Sequence, residues 1–175
     1  DGAHCAYQAL EMAIGFARAG SAAALVTGPV SKSQLYAVGF THPGQTEFIA
    51  ERCGVSKNNA VMMLAGPSLR VVPLTVHIPL AEVPERLTSE LIVAKARIVA
   101  RGLRRDFGIE TPRLALAGLN PHAGEGGLFG DEEIRFIAPA VQAARAEGID
   151  ASGPHPPDTV FMRARRGAFD LVVAM

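Results

Sequence analysis

Apolar segments of strand length alternate with amphipathic helical segments along this chain, and this alternation is the feature that most limits its fold. Strands are predicted at residues 22–28, 60–66, 69–80, 112–118 and in the final segment FDLVVAM. Helices are predicted in the opening segment, at residues 88–107 and at residues 131–147. This order predicts a layered α/β fold with a largely parallel sheet, in which ligands bind at the carboxyl ends of the strands.

The segment 88–107 carries the strongest helical pattern. Thr88 is a suitable N-cap, an apolar stripe recurs at helical spacing, and Gly108 is placed to end the helix. The stretch 153–157, which reads GPHPP, predicts a loop because proline and glycine interrupt regular structure.

Composition indicates a globular protein. The chain has 175 residues, enough for one ordinary domain, with 49% hydrophobic and 19% charged residues. Its formal net charge is zero, which gives no electrostatic argument for binding nucleic acid or an anionic membrane. The two cysteines, Cys5 and Cys53, form no CxxC motif, and this favours reduced, buried thiols in a cytoplasmic protein.

Both ends of the sequence indicate a piece of a longer polypeptide. The opening segment has no basic stretch before an apolar core, so it does not resemble a secretory signal, and it starts directly in a helical pattern. The last segment stops inside an apolar run that is typical of a central strand.

Two loops that follow strands carry groups suited to an anionic ligand. In TGPVSKSQL, Ser31 can cap a helix whose first turn holds Lys32, where a cation opposes the helix dipole. The lysine is therefore either the partner of an anion or an exposed residue without a role. In THPGQTEF, Thr46 is a suitable N-cap, and the helix-start amides beside Gln45 and Thr46 can either bind a carboxylate or phosphate or serve only as the helix start.

Two histidines lie at or just past the ends of other predicted strands. His77 lies in TVHIPL and His122 in NPHAGE, and neutral imidazoles at strand ends suit a divalent transition metal. The alternative is that each is a hydrogen-bonded structural residue. Three glycines near His122 favour a ligand, because they allow the backbone to approach it closely, namely Gly124, Gly126 and Gly127.

The glycine run after His122 does not predict a dinucleotide-binding loop. It reads GEGGLFG and misses the GxGxxG pattern. The helix beyond it begins with Asp131, Glu132 and Glu133, whose charges complement the helix dipole and would repel a pyrophosphate. Binding of a metal or a substrate by His122 is the better interpretation.

Five motifs in this order, TGPVSK, GQTEF, TVHIPL, GLNPHAGEGG and GPHPPDT, resemble those of the PdxA family, the 4-hydroxythreonine-4-phosphate dehydrogenases of vitamin B6 biosynthesis. The resemblance covers essentially the whole chain, and NPHAGEGG is its most specific motif. It implies that residues 1–175 are the central part of a single PdxA-like dehydrogenase. Family members carry a GEPAGIGP-like segment upstream and a YHDQG motif that would begin just after Met175.

The resemblance also implies a fold similar to isocitrate and isopropylmalate dehydrogenases, with two subdomains around a cleft. It implies a cytoplasmic homodimer with a shared active site and NAD or NADP as cofactor. The family binds a divalent cation, zinc, cobalt or magnesium, through three histidines. Two of these correspond to His77 and His122, and the third belongs to the YHDQG motif.

The implied substrate is 4-hydroxy-L-threonine phosphate, which is oxidised and decarboxylated. The substrate-contacting HTEF pair of the family corresponds to Gln45 and Thr46, and glutamine in place of histidine cannot titrate. The aspartate of PPDT corresponds to Asp158, and Lys32 is a weaker candidate for the same cleft. Two alternatives remain open: a related dehydrogenase acting on a phosphorylated sugar acid or a cyclic diol carboxylate, and an inactive metal-binding fragment.

Overall fold

The computed structural model of the chain describes residues 2–56 and 59–175 and divides it into two compact units. Unit 1 is Asp1–Ala60, and the regular elements of its described part are helices. Unit 2 is Val61–Met175, and it contains a five-stranded sheet with helices.

The described part of unit 1 has three α-helices, α1 at Gly2–Arg18, α2 at Lys32–Ala37 and α3 at Gln45–Arg52. Its small core is aromatic and aliphatic, because one face of each helix carries apolar residues at helical spacing. The buried members are Ile14, Leu35, Phe40 and Phe48. The Tyr7 ring packs edge-on against Phe40 and Phe48, with centroids 5.9 and 5.6 Å away.

The strand predicted at residues 22–28 does not form, and this prediction was wrong for the chain described here. The segment has no regular structure, and Val26 is 92% exposed. A strand needs a neighbour to accept its hydrogen bonds, and the described residues of unit 1 contain no strand that could pair with it.

The sheet of unit 2 has the strand order β1-β2-β5-β3-β4. Its strands are β1 Leu64–Gly66, β2 Leu69–Pro73, β3 Leu114–Ala117, β4 Ala151–His155 and β5 Leu171–Ala174. β1 pairs antiparallel with β2, and the other three pairings are parallel. The prediction of a largely parallel sheet, with the final segment as a central strand, is confirmed.

Helices cover both faces of this sheet. They are α4 Val83–Arg86, α5 Ser89–Phe107, α6 Ala138–Ala146 and α7 Pro157–Arg165, with a 3₁₀ turn at Leu80–Glu82 and a π-helical turn at Glu133–Ile137. α5 has the ends that the sequence predicts: Thr88 Oγ1 accepts the N–H of Leu91 at 3.1 Å, and Gly108 adopts the left-handed conformation.

Alternate residues of the central strands face opposite layers, because side chains of a strand point to opposite faces in turn. Leu114, Leu116, Leu171 and Val173 pack in one cluster with α5 and α6. Ala115, Ala117 and Val172 pack in a second cluster with Val160 and Ala164 of α7. Unit 2 is therefore a three-layer α/β/α structure, as predicted.

Strand boundaries differ from the sequence predictions: β1 begins at Leu64 instead of residue 60, and β3 spans Leu114–Ala117 instead of residues 112–118. Two larger differences concern β4 and β2. Residues 153–155, expected in a loop, belong to β4, which pairs with β3 at the edge of the sheet, where a proline is tolerated. The strand expected at residues 69–80 ends at Pro73, because the residues after it turn into bends and the 3₁₀ turn.

Two further expectations concern surface and environment. Cys5 and Cys53 are unpaired and exposed, so the expectation of buried thiols was wrong. Among the described helices, none combines the length and apolar character needed to cross a bilayer.

Candidate functional site

Three of the predicted site residues follow strands that end at one edge of the sheet. β2, β3 and β4 run in the same direction, so their carboxyl ends lie on the same side. His77 follows β2, His122 follows β3, and Asp158 follows β4 in the first turn of α7. Unit 2 therefore presents all three side chains at the edge where α/β proteins bind ligands.

The structure brings His122 and Asp158 close together. Nδ1 of His122 lies 3.8 Å from Oδ2 of Asp158, which is an electrostatic contact rather than a direct hydrogen bond. The two side chains are 62% and 53% exposed, so a ligand can reach both.

His122 belongs to a short left-handed helical turn, which the sequence did not predict. Within Pro121–Gly127, six consecutive residues have positive φ, from His122 at 52° to Gly127 at 102°. Each non-glycine residue in this conformation costs about 1–2 kcal/mol. His77 also has a positive φ, of 58°. Both candidate imidazoles thus lie on backbone that the surrounding contacts must hold in place.

The contact that holds the turn is made by Glu133, which is buried with 3% of its surface exposed. Its Oε1 accepts the backbone N–H groups of Leu119 and Asn120, each at 2.8 Å, and its Oε2 accepts Nδ2 of Asn120 at 2.9 Å. From the sequence, this carboxylate is expected only to complement the helix dipole. In the sequence, Glu133 is one of three consecutive acidic residues that follow the glycine-rich segment after β3. That pattern is too general to indicate which backbone groups the carboxylate contacts.

His155 is a second residue that the sequence analysis passed over. At the end of β4, its Nε2 shares a 2.9 Å hydrogen bond with Ser152 Oγ, and its ring packs on Phe169 with centroids 5.0 Å apart. Burial, with a smaller contribution from the charge of Arg163, lowers the pKa of His155. Its carbonyl accepts the N–H of Gly118 at 2.8 Å, so β4 is tied to the loop that leads to His122.

The candidate anion-binding residues lie in unit 1. Gln45 begins α3, and its Nε2 donates to the carbonyl of Gly28 at 3.2 Å, so the TGPVSK and GQTEF motifs are in contact. The N-cap of α3 is Gly44, so the expectation that Thr46 is the cap was wrong. Because Gly44 has no side chain, the cap residue offers no side-chain oxygen to the first amides of α3.

Lys32 is exposed and is the first residue of α2. Ser31 occupies the N-cap position, as expected, but it makes no side-chain cap bond, and its Oγ lies 3.1 Å from Ser33 Oγ. The amides at the start of α2 therefore lack a side-chain acceptor from the cap residue.

The donor types at the edge of the sheet suit a divalent cation, since imidazole nitrogen is a good ligand for zinc and cobalt. His77 and His122 are both exposed. Across residues 2–56 and 59–175, however, no three histidine, cysteine or acidic side chains form a group that could hold a metal ion.

A parallel sheet covered by helices on both faces, with histidine and aspartate side chains at its carboxyl edge, defines an α/β dehydrogenase-like protein. The family model described as "Pyridoxal phosphate biosynthetic protein PdxA" matches residues 1–175. The chain belongs to the PdxA family.

Curated relatives agree with this membership. A 4-hydroxythreonine-4-phosphate dehydrogenase of Erythrobacter litoralis is 59% identical over 174 residues, covering 99% of this chain and 52% of the relative. One from Zymomonas mobilis is 54% identical over 172 residues, covering 98% of this chain and 51% of the relative. The chain spans about half the length of the curated relatives it matches.

Solved structures give the same result. A crystal structure of 4-hydroxythreonine-4-phosphate dehydrogenase from Klebsiella pneumoniae matches with a TM-score of 0.88 and 43% identity, over 96% of this chain and 50% of that one. A terephthalate 1,2-cis-dihydrodiol dehydrogenase from Burkholderia xenovorans matches with a TM-score of 0.73 and 31% identity, over 98% of this chain and 53% of that one.

Proposed function

We propose that the full-length protein is an NAD(P)-dependent 4-hydroxythreonine-4-phosphate dehydrogenase. It would oxidise 4-hydroxy-L-threonine phosphate with loss of CO₂ to give 3-amino-2-oxopropyl phosphate, a step in pyridoxal phosphate biosynthesis. The observation that carries the proposal is the name shared by relatives that are 59% and 54% identical over nearly the whole chain. We further propose that it works as a cytoplasmic homodimer with a shared active site, as the family resemblance implies.

His77 and His122 are the proposed ligands of a divalent cation, zinc, cobalt or magnesium. They follow β2 and β3, which are separated only by β5, so the two strand ends are about 10 Å apart at ~4.8 Å per strand spacing. Each ligand nitrogen would lie about 2.0–2.1 Å from the cation, so the loops after β2 and β3 must bring the two imidazole nitrogens within about 4 Å of each other. A third ligand would come from the part of the protein outside this chain.

When bound, the cation supplies Lewis acidity at the alcohol oxygen of the substrate, and the nicotinamide supplies the hydride acceptor. Asp158 lies 3.8 Å from Nδ1 of His122, where its charge can orient the imidazole or take up a proton from the substrate. The exposed carboxylate also favours an ammonium group on the substrate.

The phosphate or carboxylate of the substrate is assigned to unit 1. Gln45 and Thr46 start α3, whose first amides lack a side-chain cap, and such amides bind anions well. Lys32 is exposed at the start of α2, whose N-cap Ser31 makes no side-chain cap bond, and it provides a positive charge there. Gln45 can donate a hydrogen bond but cannot exchange a proton, so its proposed role is binding alone.

A second candidate function is the oxidation of a cyclic diol carboxylate or a phosphorylated sugar acid. It is favoured by the likeness to the terephthalate dihydrodiol dehydrogenase and by Gln45, which replaces the histidine of the HTEF motif. The lower identity, 31%, makes it the weaker candidate.

Replacing His122 with Ala in the full-length protein tests the proposal. We expect loss of zinc binding and a fall in turnover of at least about 100-fold, because a metal ligand is removed. The matched control is His4→Ala, since His4 is an exposed histidine of α1 that contacts Gln8. Turnover of 4-hydroxy-L-threonine phosphate, a phosphorylated erythronate and a cyclic diol carboxylate is measured side by side.

Unchanged zinc content and activity in His122→Ala would contradict the metal assignment. Turnover of the diol or the sugar acid alone would select the second candidate. Tight zinc binding by the full-length protein without turnover of any of the three would leave only a metal-binding role.

A further inference from the structure

We propose that Glu133 is a positioning residue that acts through His122, by holding the left-handed turn on which that histidine lies. The inference rests on the proposed function, in which His122 binds a divalent cation. It deepens that function by assigning a buried carboxylate that does not itself reach the ligand.

The contacts of Glu133 identify it as the anchor of the turn. Both carboxylate oxygens are occupied by donors from Leu119 and Asn120, two of the three residues between β3 and the start of the turn. Its negative charge is thus stabilised by N–H groups of the loop, a strong type of hydrogen bond for a carboxylate.

The glycines of this segment show how closely the backbone wraps around the carboxylate. A Cβ on Gly118 would lie 2.9 Å from Glu133 Oε1, and a Cβ on Gly124 would lie 2.7 Å from Oε2. A Cβ on Gly126, by contrast, would meet no atom within 4 Å. Glycine at 118 is therefore required by the carboxylate together with Ala123 Cα, also 2.9 Å away, and glycine at 124 by the carboxylate together with the Gly130 carbonyl at 2.9 Å and its own positive φ. Glycine at 126 is required only by its positive φ.

The consequence for His122 follows from the conformation of the turn. His122, Ala123 and Glu125 all hold a left-handed conformation that L-residues disfavour. Without the acceptors of Glu133, the N–H groups of Leu119 and Asn120 lose their partners, and the turn has less to offset its strain. The imidazole then no longer keeps one fixed position for a cation, which lowers metal affinity.

The first test replaces Glu133 with Gln in the full-length protein and measures zinc affinity by competition with a chelating dye. Glutamine keeps the size of the side chain but presents an N–H₂ group to at least one loop donor. We expect zinc affinity to fall by about 10–100-fold, the usual effect of losing a partner that orients a metal ligand. The matched control is Asp131→Asn, because Asp131 is an exposed acid paired only with Arg135 in the described structure; its affinity should stay within about threefold of wild type.

A second pair of variants tests the positioning role of Glu133 if Glu133→Gln does not fold. Gly124→Ala and Gly126→Ala impose the same left-handed strain, with φ of 77° and 69°, but only the first presses a methyl group on the Glu133 carboxylate and, at 2.9 Å, on the carbonyl of Gly130. We expect Gly124→Ala to weaken zinc binding by about tenfold more than Gly126→Ala.

The outcomes separate the two proposals. If His122→Ala loses zinc while Glu133→Gln and Gly124→Ala bind it as wild type does, the positioning role is wrong and the proposed function stands. A lower melting temperature of metal-free Glu133→Gln with unchanged zinc affinity would show a merely structural role and would overturn the inference. If His122→Ala itself retains zinc, the proposed function fails in its metal assignment.

Discussion

At the residue scale, the ion pair between Arg113 and Asp170 ties the start of β3 to the start of β5. The carboxylate of Asp170 accepts three N–H groups of Arg113, from the backbone, Nε and Nη2, at 2.8–3.0 Å. Side-chain hydrogen bonding from Arg113 is the main reason that the pKa of Asp170 is lowered. Asp170 is also mostly buried, with 18% of its side chain exposed.

Replacing Asp170 with Asn should destabilise the protein by about 1 kcal/mol at pH 7, because the charge-assisted bonds are lost. Since the folded pKa lies below the unfolded value of about 3.9, the stabilisation is complete above that value and disappears as the pH falls through the folded pKa. Urea unfolding from pH 7 down to pH 3 should therefore show wild type and variant converging in acid. Asp106→Asn, which removes an exposed local pair with Arg105, is the control and should shift the midpoint little.

The candidate site also shows what individual residues reveal before a structure is known. His122 and Asp158 were predicted from their motifs, and the structure places them 3.8 Å apart. Glu133 was not predicted as an anchor, because its role depends on a backbone that folds around it. Thr46 was wrongly predicted as a cap, since Gly44 precedes it and takes that position without any side chain.

At the scale of elements, α5 is the clearest case of local sequence deciding structure. Thr88→Ala removes the oxygen that accepts the N–H of Leu91, and we expect a loss of about 1 kcal/mol in unfolding free energy. The control is Thr111→Ala, an exposed threonine of the same unit that is outside any helix. Urea denaturation followed by circular dichroism measures both variants, and equal midpoints would contradict a capping role for Thr88.

Most elements whose signals are local were predicted, although the apolar run at residues 22–28 forms no strand, and elements that depend on distant partners were not predicted. α5, β3 and β5 follow from their caps and apolar runs. β4 contains Gly153 and Pro154, which predict a loop, and it is a strand only because β3 lies beside it. The left-handed turn after β3 has no local signal beyond its glycines, because its non-glycine members disfavour it.

At the scale of the whole molecule, the two units differ in how much regular structure supports their backbones. β3 and β5 are central strands with every residue paired or buried, whereas residues 24–30 have no regular structure. Amide hydrogen exchange of this 175-residue chain should therefore show protection at least about 1,000-fold greater in β3 and β5 than in residues 24–30. Comparable protection in the two regions would mean that residues 24–30 have found a strand partner.

The strand order of unit 2 has a consequence for how the protein is made. β5 is the last described strand to be synthesised, yet it lies between β2 and β3, so these two have no sheet contact until it arrives. About 100 residues separate the end of β2 from the start of β5. At a synthesis rate of about 5–20 residues per second, β2 is therefore made roughly 5–20 s before its neighbour β5. During that interval the nascent chain carries an open seam in its middle, and this seam is the place where a chaperone would have most to protect.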